Sequence, residues 1–240
     1  MKILAADTST SINTVAVVDD DRVLAEVVVA CGRTHSERLI GTVDWVLEQA
    51  SLSLEDVDAL AISIGPGSFT GLRVGLATWK GLALGTGLPL AGVPTLDAMS
   101  RLGALHEGVV CCMLDARMQE VFGAAYRFEG GSRVKLIDDC VCSPEALLER
   151  LEGKVLFLGD GAAVYRDVVV QQVPEAVFAP ACMPVPRAAA VAREALGVLS
   201  AGQVGNAADV APVYLRKSQA EQAAAARRAA ARQGAGREGA

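Results

Sequence analysis

Apolar and polar positions along residues 3–93 predict strands and helices in the order β-β-β-α-β-α-β. Apolar, β-branched runs separated by polar turns predict the strands, and helical spacing after the capping box Thr34-His35-Ser36-Glu37 predicts an amphipathic helix. A second helix follows a glycine-rich turn at 65–71. The predicted strands are 3–6, 15–18, 23–29, 59–64 and 88–93, and the predicted helices are about 35–50 and 70–86.

The same order of elements begins again after a helix predicted at 95–104. Strands are predicted at 109–114, 121–128, 134–137 and 155–158, with helices that open at Ser143-Pro144-Glu145 and at about 162. Asp7 and Asp115 end corresponding strands, and Gly65-Pro66-Gly67 corresponds to Gly159-Asp160-Gly161. This internal repeat predicts an α/β protein of two related halves, each with a mostly covered sheet, and a cleft between them.

The repeat divides the chain into an N-terminal half at 1–97, a C-terminal half at 98–215 and a tail at 216–240. A helix predicted at about 187–201 could pack back on the first half, and 210–215 is predicted as a closing, strand-like segment. The tail is rich in alanine and arginine and carries a net charge of +4. We interpret it as a frayed helix or a disordered segment, with a weak contact to RNA as the alternative.

Composition narrows the class of protein mainly by exclusion. The 240 residues include 22 Lys and Arg against 28 Asp and Glu, and the net charge of -6 argues against unaided binding of a nucleic-acid backbone. No apolar run reaches the roughly 20 residues that span a bilayer, and the first residues are not typical of a signal peptide. We therefore expect a cytoplasmic protein that does not bind membranes. Its six cysteines form no C-x-x-C pair, which favours small buried apolar residues in a reducing compartment.

Two segments have the composition of phosphate-binding loops. The first strand ends in Asp7-Thr8-Ser9-Thr10, and the turn that contains Gly65 and Gly67 leads into a helix N-terminus, where small residues let backbone amides approach an anion. With Asp115 from the second half, these are the candidate phosphate-loop residues. A simple tight turn is the commoner explanation of such a glycine-rich stretch. The P-loop pattern G-x-x-x-x-G-K-[ST] and the metal-binding pattern H-x-x-x-H are both absent from the sequence.

The two helices of the first half each carry a second face that the core does not explain. On a helical wheel, the core side of the second helix holds Leu72, Leu76, Trp79 and Ala83. Its other side is rich in glycine, which weakens a helix unless another helix packs closely against it. On the first helix, Trp45 lies nearly opposite the apolar stripe. We therefore predict a partner-binding surface that comprises Arg38, Thr42, Trp45, Gly71, Val74, Thr78, Gly81 and Gly85.

These motifs resemble those of the TsaB (YeaZ-type) family of bacterial tRNA threonylcarbamoyladenosine synthesis. The resemblance covers about residues 1–217, and its most specific part is the stretch that begins Gly65-Pro66-Gly67 and ends at Gly75. The other matching motifs are Ile3-Leu4 with Asp7-Thr8-Ser9-Thr10, His35-Ser36-Glu37, Lys80-Gly81-Leu82-Ala83, Asp115-Ala116-Arg117-Met118 and Tyr214-Leu215-Arg216.

The resemblance implies an actin-like, sugar-kinase-like or Hsp70-like ATPase fold built from two duplicated β-β-β-α-β-α halves. It also implies a subunit without chemistry of its own, which binds the catalytic subunit TsaD and acts with the ATPase TsaE. The complex transfers threonylcarbamoyl to N6 of adenosine 37 in tRNAs that read codons beginning with A, so tRNA is reached indirectly. In the family the first two helices pack against those of TsaD or, in isolation, against a second TsaB copy. No tightly bound cofactor or metal is expected, although a nucleotide could bind at the joint interface.

An enzyme that uses its own cleft is the alternative class of function. Asp7, Asp115 and the two glycine turns would suit a small phosphotransferase or a hydrolase. The sequence lacks the H-x-x-x-H of the catalytic relative, and Asp7-Thr8-Ser9-Thr10 lacks the glycine usual in a kinase-type phosphate loop. Both departures argue against independent ATP binding.

Overall fold

The computed structural model describes residues 1–30, 35–180, 183, 186–202 and 206–216. For residues 35–37 it describes the backbone alone. The cap predicted at Thr34, the cysteines Cys31 and Cys182, and the tail beyond Arg216 lie outside the described residues. No helix within the described ranges is long and apolar enough to cross a bilayer.

A five-stranded mixed sheet forms the first half. Its elements are β1 (Lys2–Asp7), β2 (Asn13–Asp19), β3 (Arg22–Val29), α1 (His35–Gln49), β4 (Ala59–Gly65), α2 (Phe69–Thr86), β5 (Leu90–Pro94) and α3 (Thr95–Ser100). The strand order is β3-β2-β1-β4-β5, with β1 antiparallel to β2 and parallel to β4. The order of elements predicted for this half is confirmed.

A second five-stranded sheet repeats this plan. Its elements are β6 (Val109–Arg117), β7 (Glu120–Glu129), β8 (Ser132–Cys142), α4 (Pro144–Leu148), β9 (Val155–Leu158), α5 (Asp160–Val164), α6 (Arg166–Gln172) and β10 (Ala176–Phe178). The chain then returns to the first sheet with α7 (Ala188–Ser200). The strand order is β10-β9-β6-β7-β8, with β6 antiparallel to β7 and parallel to β9. Read from β8, this is the order of the first sheet, so the predicted duplication is confirmed.

Three local features differ from the sequence predictions. Segment 210–215 is not a strand, although Val213 N donates a hydrogen bond to Ile64 O of β4 at 2.7 Å. The helix predicted from about 162 is broken at Tyr165 into α5 and α6. Strand β10 was not predicted, because a three-residue strand carries too short an apolar pattern to recognise.

Both faces of the first sheet are covered by helices. Alternate strand residues face α1 and α2 on one side and α3 and α7 on the other. Helix α7 packs on β1, β2 and β4 through small residues, including Ala188 and Ala195, which let the helix lie close to the sheet. On the opposite side Trp79 is fully buried, and its indole N–H donates to Leu4 O at 3.4 Å. The core side predicted for the second helix is therefore correct.

Charged side chains join the two halves at α3. The carboxylate of Asp97 accepts hydrogen bonds from the Tyr126 hydroxyl at 2.8 Å, from Arg133 at 3.2 Å and from Lys135 at 3.0 Å. Arg133 also pairs with Glu194 of α7 at 2.9 Å. The apolar side of α3 packs on the second sheet. Helix α3 therefore belongs to the packing of both halves.

The Asp97 cluster yields a stability prediction. Asp97→Ala removes the acceptor that Arg133, Lys135 and the Tyr126 hydroxyl share. The side chains of Asp97 and Arg133 are each only 18% exposed. Arg133 and Lys135 keep their pairs with Glu194 and Asp139, so the loss is that of partly buried hydrogen bonds, about 1–3 kcal/mol. We expect a loss of that size in the free energy of unfolding, measured by urea denaturation.

The matched control is Arg127→Ala, which removes an arginine from an exposed pair with Glu129 on the same sheet. Exposed ion pairs contribute about 0–1 kcal/mol. Equal losses in the two variants would contradict the structural role of the Asp97 cluster.

Candidate functional site

The end of β1 and the turn between β4 and α2 are in direct backbone contact. Ser68 N donates to Ser9 O at 2.6 Å. A Cβ built on Gly67 would lie within 3.0 Å of Ser9 O, and one built on Gly71 would lie within 3.0 Å of Thr8 O, separations that real Cβ atoms essentially never show. Glycine is required at both positions because backbone atoms occupy the space of a side chain. The first turn of α2 therefore lies directly over the end of β1.

Asp7 is a buried structural residue. Its side chain is inaccessible to solvent, and one carboxylate oxygen accepts from Ser9 N and Ser9 Oγ, each at 2.8 Å. The Ser63 hydroxyl donates to the other oxygen. Thr8 is also buried, and its hydroxyl donates to Gly71 O at 2.9 Å. Asp7 and Thr8 thus fix the local backbone and do not face the cleft.

A cavity of about 690 Å³ lies between the two halves. The candidate phosphate-loop residues Ser9, Thr10, Gly67 and Asp115 line it. Asp7, Thr8 and Gly65 are not among the lining residues. The structure therefore brings together four of the seven candidates and places the other three behind the cavity wall.

The second half contributes a carboxylate pair to the cavity. Asp115 accepts from Arg117 N at 2.9 Å and forms an ion pair with the Arg117 guanidinium at 3.0 Å. The Asp160 carboxylate accepts from Asp115 N at 3.0 Å, and burial raises the pKa of Asp160 above its ordinary value. The glycine turn of this half repeats the close approach of the first, because a Cβ on Gly159 would lie within 3.0 Å of Met113 O.

Three amides of these loops are used by the protein itself. The amides of Ser9, Ser68 and Gly71 already donate to acceptors of the protein. A phosphate site at a helix N-terminus needs amides that point at the ligand. A phosphate could therefore use these three amides only by displacing their present acceptors, while Thr10, Phe69 and Thr70 line the cavity beside them.

The exposed sides of α1 and α2 form the second candidate site. Trp45 is 47% exposed, and no described atom outside the neighbouring turns of α2 lies within 4 Å of the Cβ positions of Gly81 and Gly85. Leu84 is 88% exposed, although the sequence prediction did not include it. On the helical wheel Leu84 lies about 60° from Gly81 and about 100° from Gly85, on the side of Arg73 and Lys80, so the predicted surface did not reach it. Four further residues of the predicted surface are half-buried, namely Arg38, Thr42, Val74 and Thr78.

The placement of Gly71 in the partner surface was wrong. Gly71 is buried, with Thr8 O in the space where its side chain would be. A small residue on a helical wheel indicates that another group comes close to the helix at that position. The wheel does not show whether that group is a partner helix or the protein's own backbone.

Comparison with known proteins identifies relatives over most of the chain. A family model described as "TsaD: tRNA N6-adenosine threonylcarbamoyltransferase" matches residues 27–225. The tRNA threonylcarbamoyladenosine biosynthesis protein TsaB of Escherichia coli is 38% identical over 174 residues, which are 70% of this chain and 75% of that protein. The chain belongs to the TsaB (YeaZ) branch of the TsaD family.

Further relatives agree with this assignment. TsaB of Haemophilus influenzae is 35% identical over 181 residues, which are 69% of this chain and 74% of that protein. The structure of YeaZ from Pseudomonas aeruginosa superposes with a TM-score of 0.77 at 28% identity and covers 89% of this chain and 99% of that one. The predicted α/β fold of two duplicated halves holds for this TsaB-type chain.

The glycines of α2 yield a paired prediction. Gly71→Ala places a methyl group against the backbone carbonyl of Thr8, so we expect a loss of about 3 kcal/mol or more in the free energy of unfolding. Gly81→Ala meets open space on the same helix, and we expect a gain of about 0.5–1 kcal/mol. Urea denaturation of both variants measures the difference. Similar effects of the two substitutions would show that the contact between α2 and β1 is looser than described.

Proposed function

We propose that this TsaB-type protein takes part in tRNA threonylcarbamoyladenosine biosynthesis as a non-catalytic subunit that binds a TsaD-type catalytic subunit through α1 and α2. The observation that carries the proposal is the exposed surface of these two helices, which combines large apolar side chains with open glycines. Its curated relatives in Escherichia coli and Haemophilus influenzae are named for this pathway.

The composition of the surface suits close helix packing. Trp45 and Leu84 are large apolar side chains that solvent reaches, and burying such residues is the main source of affinity in protein interfaces. Gly81 and Gly85 let the backbone of a partner helix approach α2 closely. The two helices pack on one another, so a partner can contact both.

The polar residues of this surface cost little to bury. The Thr42 hydroxyl donates to Arg38 O at 2.9 Å, and the Thr78 hydroxyl donates to Val74 O at 2.9 Å. Each hydroxyl therefore has a partner within its own helix, and a docking protein does not strip it of its hydrogen bond. Unpaired hydroxyls in the same positions would oppose association.

Two features of this chain's residues favour catalysis by the partner. The chain contains two histidines, His35 and His106, whose spacing cannot supply an H-x-x-x-H pair. The loops at Ser9 and Ser68 are closed on each other. In this proposal the chain works in the cytoplasm with a TsaD-type subunit and a TsaE-type ATPase, and any nucleotide binds at the joint surface. The net charge of -6 favours contact with tRNA through the complex.

An activity of the cleft itself is the competing proposal. The cavity of about 690 Å³ and the carboxylates of Asp115 and Asp160 are the observations that favour it. It predicts that the isolated chain has a catalytic activity that substitutions in α1 or α2 do not change. One set of variants therefore distinguishes the two proposals.

The experiment measures binding of a TsaD-type subunit to Gly81→Leu and Trp45→Asp variants by titration calorimetry. Leucine at 81 fills the space that a partner helix needs, and aspartate at 45 puts a charge in an apolar contact. We expect each variant to weaken binding by about 100-fold or more. Light scattering should also show fewer homodimers of the isolated variants, because self-association uses the same helices.

The control is Val170→Asp, which puts the same charge on an exposed apolar residue of α6 in the other half. It should bind the partner as the unchanged chain does. Unchanged affinity in both α1 and α2 variants would overturn the proposal and direct attention to the cleft.

A further inference from the structure

Residues 206–216 form a strap that crosses the cleft from one half to the other. At its start, Lys80 Nζ of α2 donates to Ala208 O at 2.8 Å. In its middle, Val213 N donates to Ile64 O of β4 at 2.7 Å. Apart from a short 3₁₀ turn at its beginning, the strap has no helix or strand of its own, so its position depends on these outside contacts.

The strap is held on the first half by a stack of side chains. The Tyr214 ring lies 4.7 Å from the Phe69 ring, and the Arg73 guanidinium lies over Phe69 at 3.8 Å. Arg73 Nε also donates to the Tyr214 hydroxyl at 3.1 Å. Gly65 makes room for the strap, because a Cβ there would lie 2.5 Å from Val213 O. This explains a glycine that the sequence had suggested for phosphate binding.

Leu215 and Arg216 hold the end of the strap on the second half, and Leu215 packs against the apolar cluster of that half. Arg216 donates to Ala116 O of β6 at 2.9 Å and pairs with Glu120 of β7 at 2.6 Å. Its guanidinium also lies 3.3 Å from the sulfur of Met118. The contacts of Arg216 all fall on the hairpin turn between β6 and β7, where Arg117, Met118 and Gln119 all have positive φ angles.

The strap also forms part of the wall of the cavity between the halves. Val213, Tyr214 and Arg216 line it together with Ser9 and Asp115. On a different part of the molecule the halves are joined by the Asp97 cluster and by the packing of α3 on the second sheet. The two halves are therefore joined through α3 and, separately, by the strap.

We propose that residues 206–216 are a latch that couples α2 of the first half to the β6–β7 turn of the second along one wall of the cavity. Among the described contacts, the strap reaches the turn through Arg216 and the first half through Tyr214, Val213 and the Ala208 carbonyl, so weakening either end loosens the turn relative to the first half. A ligand or partner that takes over Tyr214 or Arg216 would uncouple the two halves at this point. The proposal does not depend on which protein binds α1 and α2.

The test is hydrogen exchange, measured by mass spectrometry, in peptides that cover residues 114–122 of the full chain. Arg73→Ala removes the hydrogen bond to Tyr214 on the first half, where the Val213–Ile64 and Lys80–Ala208 hydrogen bonds remain, and Arg216→Ala removes the polar contacts on the second. We expect each to speed exchange at 114–122 by about threefold or more, and the double variant to go no further than the faster single one. Tyr214→Phe removes only the hydroxyl and should give a smaller change in the same direction.

Arg193→Ala is the matched control, because it removes an arginine from an exposed pair with Asp21 far from the strap. It should leave exchange at 114–122 unchanged. The decisive variant is Arg73→Ala, since among the described residues Arg73 reaches the β6–β7 turn only through Tyr214. The latch is refuted if Arg73→Ala leaves hydrogen exchange at 114–122 unchanged while Arg216→Ala speeds it. It is also refuted if the effects of the two substitutions on exchange multiply in the double variant, because the two ends of the strap then act separately.

Discussion

The structure depends on the contact between the backbone at the end of β1 and the first turns of α2. Ser9 O accepts from Ser68 N at 2.6 Å, and Gly67, Gly71 and Gly75 have Thr8 or Ser9 in the space of their missing side chains. This contact places α2 over the sheet and buries Trp79. It also turns the opposite side of the helix, with its open glycines, towards solvent.

The same contact makes the loops of this chain differ from phosphate-binding loops. In a phosphate-binding loop the amides at a helix N-terminus point at an anion. Here part of that donor set is used to hold two loops of the protein together, and Asp7 is buried beneath them. The amides of Ser9, Ser68 and Gly71 therefore serve stability. The interactions left available are on the outer sides of α1 and α2 and around the strapped cavity.

The sequence predicted the fold well because apolar periodicity and internal repetition both report on packing against a sheet. It identified the buried side of α2 and the repeat of the Asp7 strand in the Asp115 strand. It misplaced Gly71, because a wheel cannot distinguish a partner helix from the protein's own Thr8 carbonyl. It also predicted a strand where the strap lies. The contacts of Tyr214 and Arg216 join residues about a hundred positions apart, and no local pattern reports them.

The central claim is that this protein acts by binding a catalytic partner. The most direct measurement is mass spectrometry of threonylcarbamoyladenosine in unmodified tRNA that is incubated with a TsaD-type subunit, a TsaE-type ATPase and the activated threonylcarbamoyl donor, with and without this chain. The account predicts modified adenosine only when this chain and the catalytic subunit are both present. Equal modification without this chain, or modification by this chain alone, would contradict it.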